Sequence, residues 1–191
     1  MEIEYQITLN CFHGTIKHYA DQVIQEKKFT IKRRDDHWLG NGVYFFINDR
    51  EKAKWWSKEA SKRANFNEEL KAIAGDTTEK VIYLETTLNN RELLDLDTEN
   101  GQKRIKDFID YLLKRKSRIT GIVSSGEEHK ALCKILDLFA KTENVKATSY
   151  TFESNRKELF KGLNRYGIVN RGRQLSVYDQ TIIDFKTLQI Y

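Results

Sequence analysis

Proline is missing from all 191 residues, so no rigid proline-rich linker divides the chain. Cysteine is nearly missing too. Cys11 and Cys133 match no metal-ligand spacing, and two buried free thiols are a simpler reading than a disulfide. No apolar run approaches the roughly 20 residues needed to span a bilayer. The opening Met1-Glu2-Ile3-Glu4 lacks the basic-then-apolar layout of a secretory leader, which predicts a cytoplasmic protein and no membrane partner. Charge of one sign is also lacking: 33 basic residues are mixed among 28 acidic ones. The net charge of +5 permits a polyanionic partner without requiring one. A P-loop, a dinucleotide-binding glycine fingerprint and a metal-ligand cluster are all absent from the pattern. His18 and His129 stand in helical contexts with no partner at ligand spacing.

What remains is a chain with 39% hydrophobic and 32% charged residues, long enough for one real core. A single domain over 1–191 is expected. Residues 1–11 alternate apolar and polar as a first strand, ending at His13-Gly14-Thr15. Residues 16–25 suit a helix, and 27–34 a strand or an ordered loop. Residues 43–47 form a strong strand. A helix capped by Asn48 or Asp49 runs to about Arg63, with Ala53, Trp56 and Ala60 along one face. Further helices are predicted over 65–74, 102–115 and 127–141, the last opened by Ser125 or Gly126. Further strands are predicted over 80–88, 144–152, 174–178 and 185–190, with a short apolar piece at 93–96. Residues 160–168 give no clear signal. Dispersed strands between helices, without clean alternation, point to an α+β class with antiparallel pairing.

Two stretches stand out. One is Asn10-Cys11-Phe12-His13-Gly14-Thr15, the other His37-Trp38-Leu39-Gly40-Asn41-Gly42-Val43-Tyr44-Phe45-Phe46. Each sets a polar residue beside a glycine at the end of a strand, where backbone groups reach a ligand closely. Taken singly, His13 reads as a hydrogen-bonded structural histidine, Tyr44 as strand core, and Trp55 and Trp56 as helix packing. Glu127 and Glu128 suit a first helical turn. His37, in the loop before Trp38, is a candidate substrate contact.

His13-Gly14-Thr15 resembles the first motif of ADP-ribosyltransferases of the poly(ADP-ribose) polymerase and diphtheria-toxin class, and Gly42-Val43-Tyr44-Phe45 resembles their second. Arg173-Gln174-Leu175-Ser176-Val177-Tyr178-Asp179 is similar to their last segment, with Gln174 at the position of the family's glutamate. Trp55 lies eleven positions after Tyr44, the family's spacing for an aromatic that stacks on nicotinamide, and Ala53 also fits. The resemblance covers about a third of the chain and leaves the middle unmatched. It implies an ADP-ribosyltransferase-like fold of two packed, mainly antiparallel sheets flanked by helices.

The resemblance also implies NAD as co-substrate, with no metal. Transfer breaks the nicotinamide–ribose bond through a transition state resembling an oxocarbenium ion. Gly14 would meet the carboxamide, and Tyr44 and Trp55 would sandwich the ring. His13 would hydrogen-bond the adenosine ribose, and Thr15 would support the nicotinamide end. Gln174 retains a hydrogen bond to the ribose but supplies no negative charge. Three readings of Gln174 stay open: a natural residue in an enzyme transferring single ADP-ribose units, an inactivating substitution, or a protein that binds NAD without using it.

The expected function is a mono-ADP-ribosyltransferase acting on a macromolecular acceptor, nucleic acid or protein. The alternatives are a non-catalytic NAD- or ADP-ribose-binding module and an NAD glycohydrolase. By analogy, the compact size suits a toxin or phage-defence effector restrained by an antitoxin or inhibitor protein. The loop before Gln174 carries Lys161, Arg165, Tyr166, Arg171 and Arg173, a mixture that attracts a phosphate backbone and stacks a base.

Overall fold

The computed structural model describes residues 3–115, 128–153 and 171–191. The expected opening of a helix at Ser125 or Gly126, Glu127, the segment 160–168, the basic residues Lys161 and Arg165, and Tyr166 lie outside the described residues.

Strand β1 (Gln6–Ile16) is longer than its pattern suggests and carries His13-Gly14-Thr15 within it rather than after it. The run is hidden because both faces become buried past Cys11, which erases the alternation. Helix α1 (Lys17–Glu26) follows and ends at Lys27, which adopts a left-handed conformation. Residues 27–34 form an ordered loop. Gln180 replaces a strand partner there: it accepts from the Phe29 N–H and donates to the Phe29 carbonyl, both at 2.8 Å.

Strand β2 (Val43–Ile47) leads into helix α2 (Arg50–Phe66), capped by the Asp49 carboxylate on the Lys52 N–H. The buried residues of α2 are the small Ala53, Ser57 and Ala64 together with Lys52, and the expected tryptophan, Trp56, stays partly exposed. Asn67 caps the short helix α3 (Glu68–Ala74). Strand β3 (Glu79–Asn89), strand β4 (Leu93–Asp95) and helix α4 (Glu99–Lys114) come next. Helix α5 (Glu128–Thr142), strand β5 (Ala147–Glu153), strand β6 (Arg171–Val177) and strand β7 (Ile183–Ile190) complete the described chain.

The strands form one sheet in the order β4-β5-β6-β2-β1-β3-β7, antiparallel except for the β4–β5 pair. The protein is therefore α+β with helices flanking a seven-stranded sheet. The expected two packed sheets are corrected to one hydrogen-bonded sheet, and its weakest joint explains the difference. Strands β1 and β3 share eleven register pairs, from Gln6↔Asn89 to Ile16↔Glu79. Strands β1 and β2 share two, Cys11↔Ile47 and Phe12↔Phe46. Beyond Phe12 the halves part.

The main core lies along the central strands. It joins Cys11, Phe45, Ile82, Leu84, Leu175 and Val177 with Val23 of α1 and with Phe29. A second cluster packs α4 against α5 through Phe108, Leu112, Leu136 and Phe139. Both cysteines are free and buried, and burial pushes the Cys11 thiol up to about 12, so it stays protonated. Among the described residues no helix is long and apolar enough to cross a membrane.

Candidate active site

The cleft begins where the β1–β2 ladder stops. One residue past the last pair, His13 turns its ring into the gap, and Nδ1 donates to the Tyr44 carbonyl at 2.8 Å. A carbonyl only accepts, so the proton is on Nδ1 and the neutral ring's Nε2 carries a lone pair. Phe29 and Phe45 meet the ring edge-on, at 5.2 and 5.7 Å. Burial holds the imidazole pKa below its ordinary value, and the bond to Tyr44 offsets that only in part.

Gly14 has two roles. Its register partner Val81 exchanges both backbone bonds with Tyr191, so Val81 faces β7. By antiparallel alternation, the N–H and C=O of Gly14 turn away from β3, toward the side where β2 has departed. They open into the cleft. A Cβ on Gly14 would also lie 2.7 Å from the Ser57 nitrogen and collide with the Ala53 carbonyl oxygen. Only glycine lets α2 approach β1 this closely.

Tyr44 ties the opposite wall to the loop before it. Its hydroxyl accepts from the Leu39 N–H at 2.7 Å and donates to the Gly40 carbonyl at 2.9 Å. Burial raises its pKa above the ordinary tyrosine value, so it stays a phenol. Gly40 sits at φ +72, where other residues are strained. The Asn41 N–H and side-chain amide both donate to the Asp137 carboxylate of α5, at 2.6 and 2.7 Å. Tyr178 donates to the Leu39 carbonyl at 2.7 Å. The loop is thus fastened to the sheet, to α5 and to β2.

His13, Gly14, Tyr44 and Gln174 all line one cleft of about 530 Å³. Trp56 and Arg63 of α2 form another wall, with the Arg63 guanidinium 5.1 Å from the centre of the Trp56 ring. Trp55 does not line this cleft. It lines a smaller adjoining hollow, which shares Trp56 and Gln174 with the cleft. Thr15 is buried and lies outside the cleft walls. His37 lines the cleft with its Nδ1 buried and unbonded, and burial, together with the nearby Arg34 cation, lowers its pKa. A larger hollow of about 980 Å³ lies between residues 26–33 and the end of α5. It is open and polar and contains none of the four convergent residues.

The sequence reading missed Trp38, Arg34, Asp36, Arg63 and His129 as cleft residues. Arg63 had a local signal, since it lies seven residues after Trp56 on the same helix face. His129 had none. It stacks on Trp38 at 3.9 Å from across the chain, with its Nε2 buried and unbonded.

No protein-family model and no solved structure matches the chain. Among curated proteins, an uncharacterized protein of Methanocaldococcus jannaschii is 32% identical over 57 residues. The match covers 29% of this chain and 27% of that protein, so the chain spans about a quarter of that relative's length. The fold and cleft thus define an α+β protein with a ligand-sized opening at the joint of its sheet.

Proposed function

We propose that the protein is a mono-ADP-ribosyltransferase that binds NAD in this cleft and passes ADP-ribose to a macromolecular acceptor. One observation carries the reading. Residues 13, 14, 44 and 174, drawn from three strands, line one hollow of about 530 Å³, within the range of small-molecule sites.

The chemistry follows from the groups present. The open N–H and C=O of Gly14 match the acceptor and donor of a carboxamide. The Tyr44 and Trp56 rings offer flat faces for the cationic nicotinamide, with Trp56 replacing Trp55 in that role. His13 Nε2, an acceptor, suits a ribose hydroxyl. Gln174 accepts from a second hydroxyl through its amide oxygen. Another carboxylate in the cleft, Asp36, is held by Arg34 through two hydrogen bonds of 2.8 and 2.7 Å. Among the described residues lining the cleft, the positive charge developing on the ribose therefore meets the neutral amide of Gln174. A lost carboxylate slows such a step by roughly two to three powers of ten. That neutrality favours the second reading, an NAD-binding module.

The test compares the protein and Gln174→Glu, each incubated with labelled NAD and a cell lysate. Label on RNA, DNA or protein supports transfer and identifies the acceptor. Free ADP-ribose alone indicates a glycohydrolase. Tight binding without turnover by either form supports the module. A gain of about a hundredfold in the variant identifies the glutamine as a brake. Absence of NAD binding by both forms refutes the proposal. A cytoplasmic toxin or defence effector with a neutralising partner protein fits this activity.

A further inference from the structure

Past Gln174 the cleft continues into a hollow of about 120 Å³, walled by Phe46, Trp55, Trp56 and Phe152. The register explains this crowding. Phe46, Gln174 and Tyr150 are direct cross-strand partners on β2, β6 and β5, so their side chains stand in one row on one sheet face. In the next row Phe152 faces Gly172, which has no side chain to fill the space. The Lys52 side chain passes there instead, its Cδ 2.8 Å from where a Gly172 Cβ would be. Tyr150 and Phe152 meet edge-to-face at 4.9 Å, and Trp38 meets Phe152 at 5.9 Å. Tyr150 is 38% exposed and Trp38 58%, so the aromatic row is open to solvent at its outer end. The Asp97 carboxylate near that end is engaged by the Thr151 N–H and hydroxyl, with the Arg173 guanidinium 3.5 Å away.

We infer that this hollow is an acceptor subsite for a base of single-stranded nucleic acid. The inference rests on the cleft being the NAD site, because the hollow shares its Gln174 wall with that cleft. About 120 Å³ is roughly the volume of four liquid waters, enough for one flat heterocycle and too little for a folded peptide segment. Flat faces on several sides suit a base of any sequence. A protein nucleophile such as a carboxylate or hydroxyl gains nothing from such walls. Lys52 and Glu153 both line the hollow, Arg63 lines the adjoining cleft, and the net charge of +5 suits a phosphate backbone running outside. In the transfer, a base N–H nitrogen forms a bond to C1′ of the nicotinamide ribose. The C1′–nicotinamide bond breaks, its electron pair leaves with neutral nicotinamide, and the base's proton passes to water.

The test measures binding of a fluorescent single-stranded oligonucleotide of mixed sequence by anisotropy, without NAD. Phe152→Ala is expected to weaken binding by roughly tenfold, and to leave the salt dependence unchanged because no cation is removed. Phe152→Leu keeps the apolar volume without a stacking face and is expected to lose part of the same affinity. Urea midpoints of each variant report folding. Equal affinity in all three proteins overturns the inference, as does binding of duplex as tight as single strand. With NAD and lysate present, label on protein and none on nucleic acid also overturns it. Stacking-dependent binding alongside no NAD turnover by the protein or Gln174→Glu counts against the transferase reading and leaves the base-binding hollow standing.

Discussion

Gly14→Ala tests whether the close seating of α2 on β1 builds the cleft. The new Cβ would sit 2.7 Å from the Ser57 nitrogen and 2.9 Å from the Ala53 carbonyl carbon, and closer still to the Ala53 oxygen. Comfortable contacts lie near 3.5–4.0 Å, so the shortfall is on the order of 1 Å. All three opposing atoms are backbone in the middle of a 17-residue helix, so no side chain can swing aside. The helix must lift as a body. Overpacking of this kind costs about 1–3 kcal/mol, and rigid backbone on both sides places this case near about 3. At about 2–4 °C per kcal/mol for a chain of this size, Tm should fall by about 6–12 °C. The lift also moves Trp56 and Arg63 away from His13 and Tyr44. A displacement of about 1 Å in a positioning wall costs on the order of a hundredfold in turnover. The assay is thermal unfolding by circular dichroism alongside nicotinamide release from NAD. A variant with Tm within about 2 °C of the parent would refute the packing argument, because the collision would then have been relieved at no cost.

Two further perturbations address the cleft's other walls. Burial lowers the His13 pKa below 6.5, so the unfolded chain binds more protons in that window, and the stability this group contributes is lost as pH falls below 6.5 through the folded value. His13→Asn keeps a donor for the Tyr44 carbonyl and removes the titration. Its urea midpoint should fall less steeply than the parent's between about pH 7 and pH 5, with a residual slope from His37, whose pKa is also lowered. Identical slopes would remove His13 from the account. Asp137→Ala removes two charge-assisted bonds to Asn41 and should lower stability by about 2–4 kcal/mol in urea unfolding. An unchanged midpoint would show that Tyr44 and Tyr178 hold the loop without help from α5.

Elements whose pattern is local were legible, and those set by distant partners were not. Val43 to Ile47 reads as a strand from its apolar run, and α5 from its apolar spacing. Helix α4 begins before its expected start because the Thr98 hydroxyl caps the Gly101 N–H, while a glycine in the first turn argues against a helix there. The loop at residues 27–34 looks like a strand, yet its backbone is satisfied by Gln180, about 150 residues away, which no window reveals. The tryptophan assignment shows the limit of counting. Eleven residues after Tyr44 is Trp55, but which indole enters the cleft depends on the phase of α2. That phase is set by the small residues Ala53, Ser57 and Ala64 seated against β1, and it places Trp56 along the cleft wall, still partly exposed.

The cleft owes its existence to an interruption in the sheet. Two register pairs join β1 to β2, and a longer ladder would carry Gly14 into backbone bonds with Tyr44. The His13 side chain takes the Tyr44 carbonyl that the ladder would have used, so that acceptor is not left unpaired at a cost of about 1–3 kcal/mol. By the alternation, the Gly14 groups face the same gap. A glycine is required there by the helix on one side, and the absence of a side chain leaves its peptide reachable from the other. One residue thus joins two features of the cleft: a helix held close enough to wall it, and a peptide donor–acceptor pair turned toward it. The loop ending in Gly40 and Asn41 supplies the facing wall through Tyr44 and Asp137, and its fastening at three points keeps that wall in place before any ligand arrives.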